Sequence, residues 1–165
     1  MLLAIKQLFT GEAAELPFEF TLDLSDTELD GVHPFVSPVR VSGHAFRNAE
    51  GVRLAAQALF DFCMPCDRCA EEIRTKMEYR FDHELVLELH HEDSEKYLLV
   101  EEDLLDLNEL LYADILLELP TKHLCKPDCK GLCPTCGANL NSGSCSCEKS
   151  RVDPRLEILK QLIED

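Results

Sequence analysis

The chain is predicted to be α+β: an antiparallel, β-rich domain with one or two helices, a small cysteine-rich metal module, and a short terminal helix. Three observations predict this. Residues 73–89 alternate apolar and polar with period two, residues 107–119 carry apolar side chains at helical spacing, and six of the nine cysteines fall within residues 125–147. The expected divisions are 1–120 for the β-rich domain, 121–150 for the metal module and 151–165 for the terminal helix. At 165 residues and 45% hydrophobic content, most of the chain can build a core without help from a metal.

Met1 to Leu8 is apolar but interrupted by Lys6 and Gln7, which argues against a secretory leader. The first strand is read from Phe18 to Leu24, where apolar and polar residues alternate. Val39–Phe46 and Val52–Phe62 flank Asn48-Ala-Glu-Gly51, a hairpin turn. The clearest strand follows. Ile73, Met77, Tyr79, Phe81, Leu85 and Leu87 share one face, and Arg74, Lys76, Glu78, Arg80, Asp82 and Glu84 share the other. His90 to Glu95 reads as a polar loop, whose adjacent histidines point opposite ways on an extended chain. A short strand is expected at Tyr97–Val100. In the helix that follows, Leu107, Leu110, Leu111, Ile115 and Leu119 fall on one side, Asn108 is a candidate cap, and Pro120 ends it. Asp153-Pro154 opens the last predicted helix, striped by Leu156, Leu159, Leu162 and Ile163.

Cys125, Cys129, Cys133, Cys136, Cys145 and Cys147 are candidate metal ligands. Zinc takes four thiolates in a closed structural site, so four of these six are expected to hold one Zn²⁺, beginning with Cys133 and Cys136. In Cys133-Pro-Thr-Cys136-Gly137 a tight turn presents two sulfurs to one ion and aims backbone N–H groups at the first. Gly137 supplies the left-handed residue that the reversal requires. Four thiolates leave no open coordination position, so the site reads as structural and not catalytic. The spacing matches neither ferredoxin-type iron–sulfur run. Upstream, Cys63-Met-Pro-Cys66-Asp-Arg-Cys69 lies at a strand end. Cys66 and Cys69 form a thiol pair or half of a metal site, completed by cysteines left over downstream.

The formal net charge is −16, and it is uneven. Residues 84–119 hold twelve acids against Lys96 alone, while Lys122, Lys126, Lys130, Lys149 and Arg151 surround the cysteines. Phosphate contacts draw on Lys and Arg, so a broad nucleic-acid surface on the acidic portion is disfavoured. The five basic residues are the candidate RNA contacts, and Lys126 and Lys130 also stand where they can offset a zinc–thiolate charge. No stretch approaches the ~20 apolar residues of a membrane span. Nine cysteines without a leader point to metal thiolates in the reducing cytoplasm.

The run Cys125-Lys-Pro-Asp-Cys129-Lys-Gly-Leu-Cys133-Pro-Thr-Cys136-Gly, with Cys145-Ser-Cys147 and Asp153-Pro-Arg-Leu156, closely resembles the YceD (DUF177) family of large ribosomal RNA subunit accumulation proteins. Cys66-Asp-Arg-Cys69 with Glu71 and Glu72 is similar to the family's other marked motif, and the resemblance covers about residues 60–160. It implies a non-enzymatic cytoplasmic factor that supports 23S rRNA accumulation and large-subunit assembly. The implied partners are rRNA or ribosomal proteins, L32 among them because family genes often adjoin its gene. An acidic escort for a basic ribosomal protein, without RNA contact, is the alternative. A phosphate-binding glycine loop, a His-Glu-x-x-His and a nucleophile elbow are all missing from the sequence. Redox chemistry at Cys66 and Cys69 is the remaining enzymatic reading.

Overall fold

A computed structural model describes residues 1–88, 97–100 and 103–147. The predicted loop at 90–95 and the predicted helix after Asp153 lie outside the described residues, as do Lys149 and Arg151. The chain divides into two compact units. One comprises Met1–Met64 and Arg74–Thr121; the other comprises Pro65–Ile73 and everything from Lys122 on.

The first unit is built on a mixed sheet. Strand β1 (Leu2–Leu3) and helix α1 (Lys6–Thr10) precede β2 (Glu15–Leu22), β3 (Val39–Arg47), β4 (Val52–Pro65), β5 (Glu72–Val86), β6 (Tyr97–Leu99), β7 (Leu105–Asp106) and helix α2 (Leu107–Glu118). Five strands form one sheet in the order β2-β3-β4-β5-β6, and β1 pairs separately with β7. β2 begins three residues before its expected start and runs through Pro17. It is an edge strand, where a missing N–H costs no ladder bond on the open side. The β3–β4 turn is as expected. Asn48 Oδ1 accepts from the N–H groups of Glu50 and Gly51 at 2.9 and 3.0 Å.

One pairing departs from the antiparallel expectation. β6 runs parallel to β5, with Glu84 opposite Tyr97 and Val86 opposite Leu99. Such a pairing needs a crossover that alternation alone does not reveal.

Alternation decides which side of the sheet is covered. Val52, Leu54, Ala56, Ala58, Phe60, Phe62 and Met64 of β4 are buried, with Val39, Val41 and Ala45 of β3 beside them. Against this face lie Leu8 of α1 and Leu107, Leu111 and Ile115 of α2, each wholly buried. His83 on β5 meets Asp114 on α2 at 2.7 Å, a polar tie beside the apolar seam. The opposite face is polar: Gln57 and Arg80 both donate to Glu78 at 2.8 Å, and Arg53 pairs with Asp82 at 3.0 Å.

Two local expectations are corrected. The cap of α2 is Asp106, whose carboxylate accepts from Asn108 N–H, so Asn108 is the second helical residue and not the cap. Residues 6–10, read only as a broken apolar run, form α1, closed by Gly11 at φ +81°. α2 stops at Glu118, and Leu119 is extended (ψ 139°), the backbone favoured by a residue preceding proline. Among the described residues no helix is long and apolar enough to cross a membrane.

Candidate metal centre

Among the described residues the second unit has very little apolar core: Cys66, Cys69 and Cys129 are buried together, with Ile73 and Leu124 the only hydrophobic residues packed on them. At ~1.5–3 kcal/mol for each fully buried apolar side chain, two partly covered ones cannot order this much chain. A bound structural metal ion, worth ~10–16 kcal/mol for zinc in zinc-finger peptides, is of the size that could.

Two turns of the same construction supply half the sulfurs. In the first, the N–H of Cys66 donates to Glu71 O, and the N–H of Ala70 donates to Cys66 O, both at 2.8 Å. In the second, Cys133 N–H donates to Ala138 O and Gly137 N–H to Cys133 O, again both at 2.8 Å. The residue after the second cysteine is left-handed in each, Ala70 at φ +59° and Gly137 at φ +72°. Both are knuckles, Cys-x-x-Cys reversals that leave two sulfurs on one side, a form that could hold a metal ion.

Each knuckle completes a quartet. Cys66 and Cys69 join Cys125 and Cys129; Cys133 and Cys136 join Cys145 and Cys147. Within each quartet all sulfurs lie within 4.8 Å of one another. Cys66–Cys129 and Cys69–Cys125 are 3.8 and 3.6 Å apart. Four sulfurs placed tetrahedrally at the Zn–S distance would be about 3.8 Å apart, so the spacing fits one tetrahedral ion per quartet.

All six downstream cysteines are therefore placed, two in the first quartet and four in the second. Cys145 and Cys147 both reach one centre, across a bend at residues 146 and 147. Cys63 joins neither quartet; it lies within β4, its N–H donating to Pro34 O at 2.8 Å.

The thiols of a quartet do not ionise alike. The N–H of Cys125 draws the Cys66 thiol down to about 6, and the N–H groups of Arg68 and Cys69 add to this. Cys133 is likewise lowered to about 6, first by the N–H of Cys136 and then by that of Thr135. The Asn141 amide lowers Cys129.

Cys125 is an exposed residue, but its sulfur turns in among the others. Burial and then the neighbouring thiols push it up to about 12. The Cys136 thiol, followed by burial, pushes Cys147 up to about 12. At Cys69 the N–H of Glu71 lowers the pKa, but burial and the thiols of Cys66 and Cys129 outweigh it, so the net shift is upward. Four sulfurs this close cannot all ionise without a cation between them. A divalent ion removes that restriction.

Groups other than cysteine hold the frame. Asp67 and His123 exchange two hydrogen bonds of 2.8 Å, and Arg68 Nη1 donates to Cys129 O at 2.8 Å. Gly131, at φ +74°, lies so close to Arg68 that an added Cβ would stand 2.9 Å from its carbonyl oxygen.

Lys122, Lys126 and Lys130 are exposed, and none forms an ion pair with a described residue. Over residues 65–73 and 122–147, Arg68 and these three lysines are balanced by Asp67, Glu71, Glu72 and Asp128. Each loaded tetrathiolate centre adds a formal charge of about −2. The unit is then acidic, although its lysines stand clear.

The sequence profile of the family described as Large ribosomal RNA subunit accumulation protein YceD matches residues 54–163. The Bacillus subtilis protein YlbN, described as uncharacterized, is 30% identical over 168 residues, spanning 97% of this chain and 95% of its own length. The maize protein described as chloroplastic Large ribosomal RNA subunit accumulation protein YCED homolog 1 is 45% identical over 49 residues, 29% of this chain and 17% of its own. The Mycobacterium tuberculosis protein Rv2926c, also described as uncharacterized, is 26% identical over 70% of this chain and 57% of its own length. No solved structure matches.

Proposed function

The chain belongs to the YceD family of large ribosomal RNA subunit accumulation proteins, and on that premise we propose that it is a non-enzymatic, cytoplasmic factor in large-subunit biogenesis. It acts by binding a ribosomal component. Zn²⁺ is the ion of both quartets, because all-thiolate tetrahedral sites with sulfurs at this spacing suit zinc and leave no position for catalysis. The division of labour follows the expected one, with a β-rich domain, a metal module and the segment after it.

The partner favoured by charge is a basic ribosomal protein, with L32 the first to test. The single observation that carries this is the acidity of the whole chain, −16 in formal charge before any thiolate ionises. Complementary charge speeds encounter and selects a cationic partner, and it disfavours a polyanion. The test is co-purification at low and high salt. A basic large-subunit protein retained at low salt and released at high salt is expected; recovery of rRNA alone would overturn this choice of partner.

A second reading has its own observation. Lys122, Lys126 and Lys130 are exposed and have no described ion-pair partner, which leaves them available for phosphate contacts with rRNA. Lys126→Glu with Lys130→Glu should then weaken RNA binding and flatten its salt dependence while metal stays bound. Unchanged RNA affinity in that double variant removes the reading.

A further inference from the structure

The loop between Cys136 and Cys145, two ligands of the second quartet, reaches the sulfur of the first. Asn141 Nδ2 donates to Cys129 Sγ at 3.2 Å. The orientation of the amide is fixed, because its Oδ1 accepts from the N–H of Lys130 at 2.9 Å, leaving Nδ2 as the donor. Asn141 is itself held by Asn139, whose Oδ1 accepts its N–H at 2.9 Å.

Asn139 in turn donates from Nδ2 to Glu71 Oε1 at 2.9 Å, at the end of the first knuckle. Leu140 N–H donates to Gly131 O at 2.9 Å, and Leu132 N–H donates to Arg68 O at 3.0 Å. The strip 139–141 is thus closed by one centre and bonded to the other.

From this arrangement we infer that the two centres load cooperatively, with Asn141 as a positioning residue of the Cys66/Cys69/Cys125/Cys129 centre. An ion in the second quartet closes the loop 137–144 and fixes the strip. The first centre then receives its N–H···S hydrogen bond and its Glu71 contact without a further ordering cost. Donors to a ligating sulfur stabilise the thiolate and set its direction, and losing such an outer partner costs about 10–100-fold in metal affinity. Linkage makes the effect mutual: filling the first centre must tighten the second by the same factor.

Two measurements test this. The full-length wild-type chain, stripped of metal, is given substoichiometric zinc, and its species are counted by native mass spectrometry. Cooperative loading predicts mainly empty and doubly loaded chains, with singly loaded chains well below the roughly half expected at midpoint for two equal independent sites.

In parallel, cobalt(II) binding is followed by its thiolate-to-metal absorption in competition with a chelator. Asn141→Asp keeps the acceptor for Lys130 N–H and loses the donor to sulfur; Asn141→Ala loses both. Each should weaken the first centre about 10–100-fold and shift its charge-transfer band. Cys145→Ser should weaken the same centre by a comparable factor. A statistical distribution of zinc-loaded species overturns the cooperativity. An unchanged affinity and absorption band in both Asn141 variants overturns the role of Asn141. The mass-spectrometric count needs no variant, so it decides even if a substitution prevents folding.

Discussion

The two knuckles are the same device in different settings. Cys66–Glu71 and Cys133–Ala138 share the same two hydrogen bonds, all of 2.8 Å, and the first cysteine of each has its thiol lowered to about 6. They differ in two respects. The second turns on a glycine and closes with cysteines a few residues on; the first turns on Ala70 and closes with cysteines some 60 positions away, Cys66 to Cys129 spanning 63 and Cys69 to Cys125 spanning 56. The second quartet is therefore a local clasp, whereas the first staples together chain segments that the sequence keeps far apart.

Metal removal probes that difference most severely. A zinc chelator should abolish amide-exchange protection across residues 66–71 and 122–147 while the sheet residues keep theirs, because those have their own core. Equal loss of protection in the sheet would show that the two regions are not separable in this way.

Acid is the next lever. Metal binding requires thiolates, so affinity falls as pH falls, by about tenfold per pH unit for each proton displaced. Above pH ~7, Cys66 and Cys133, lowered to about 6, are already ionised, and each centre releases fewer than four protons per ion. Below pH ~6 these thiols also carry protons, and the number released should approach four. Calorimetry in buffers of different ionisation enthalpy reads this directly. A proton count that does not change with pH would contradict the N–H···S account of the two first cysteines.

Glycine substitutions separate turn from contact. At Gly131 an added Cβ meets the Arg68 carbonyl at 2.9 Å as well as a left-handed backbone, so Gly131→Ala should cost about 2–4 kcal/mol in chemical unfolding of the metal-loaded unit. At Gly137 nothing among the described residues lies within 4 Å of an added Cβ, so Gly137→Ala is expected to meet the backbone cost alone, about 1–2 kcal/mol.

The reverse change gives the smallest effect. Ala70→Gly relieves a left-handed alanine but frees the unfolded chain, for a net gain of about 0.5–1 kcal/mol. A loss there would mean that the alanine methyl makes a contact outweighing its strain.

The same contrast explains what could be read from sequence. Cys133-Pro-Thr-Cys136-Gly137 carries its geometry in its residues: spacing, turn and left-handed glycine are all written locally. The first knuckle hides its turn, because Ala70 gives no sign of a positive φ, and its partners depend on a fold that brings residue 66 to residue 129. Strand β5 was legible because its two faces differ so sharply in charge. Its parallel partner β6 was recognised as a strand, but direction is a property of the crossover and not of three residues. Pro17 obscured the start of β2 until the strand proved to lie at an edge. At α2, Asp106 and Asn108 are both good caps by type, and only the hydrogen bond chooses between them. The side-chain bonds of Asn139 to Glu71 and of Asn141 to the sulfur of Cys129 have no sequence signature.

Eight of the nine cysteines are grouped to hold two ions, in one local tetrathiolate centre and one assembled from distant segments. Metal content per chain, measured by elemental analysis on protein purified without added metal, tests it most directly. Two zinc ions per wild-type chain are expected, and one in a Cys66→Ser, Cys69→Ser double variant, with the Cys133/Cys136/Cys145/Cys147 centre still filled. One zinc ion in the wild type, unchanged in the double variant, would contradict it.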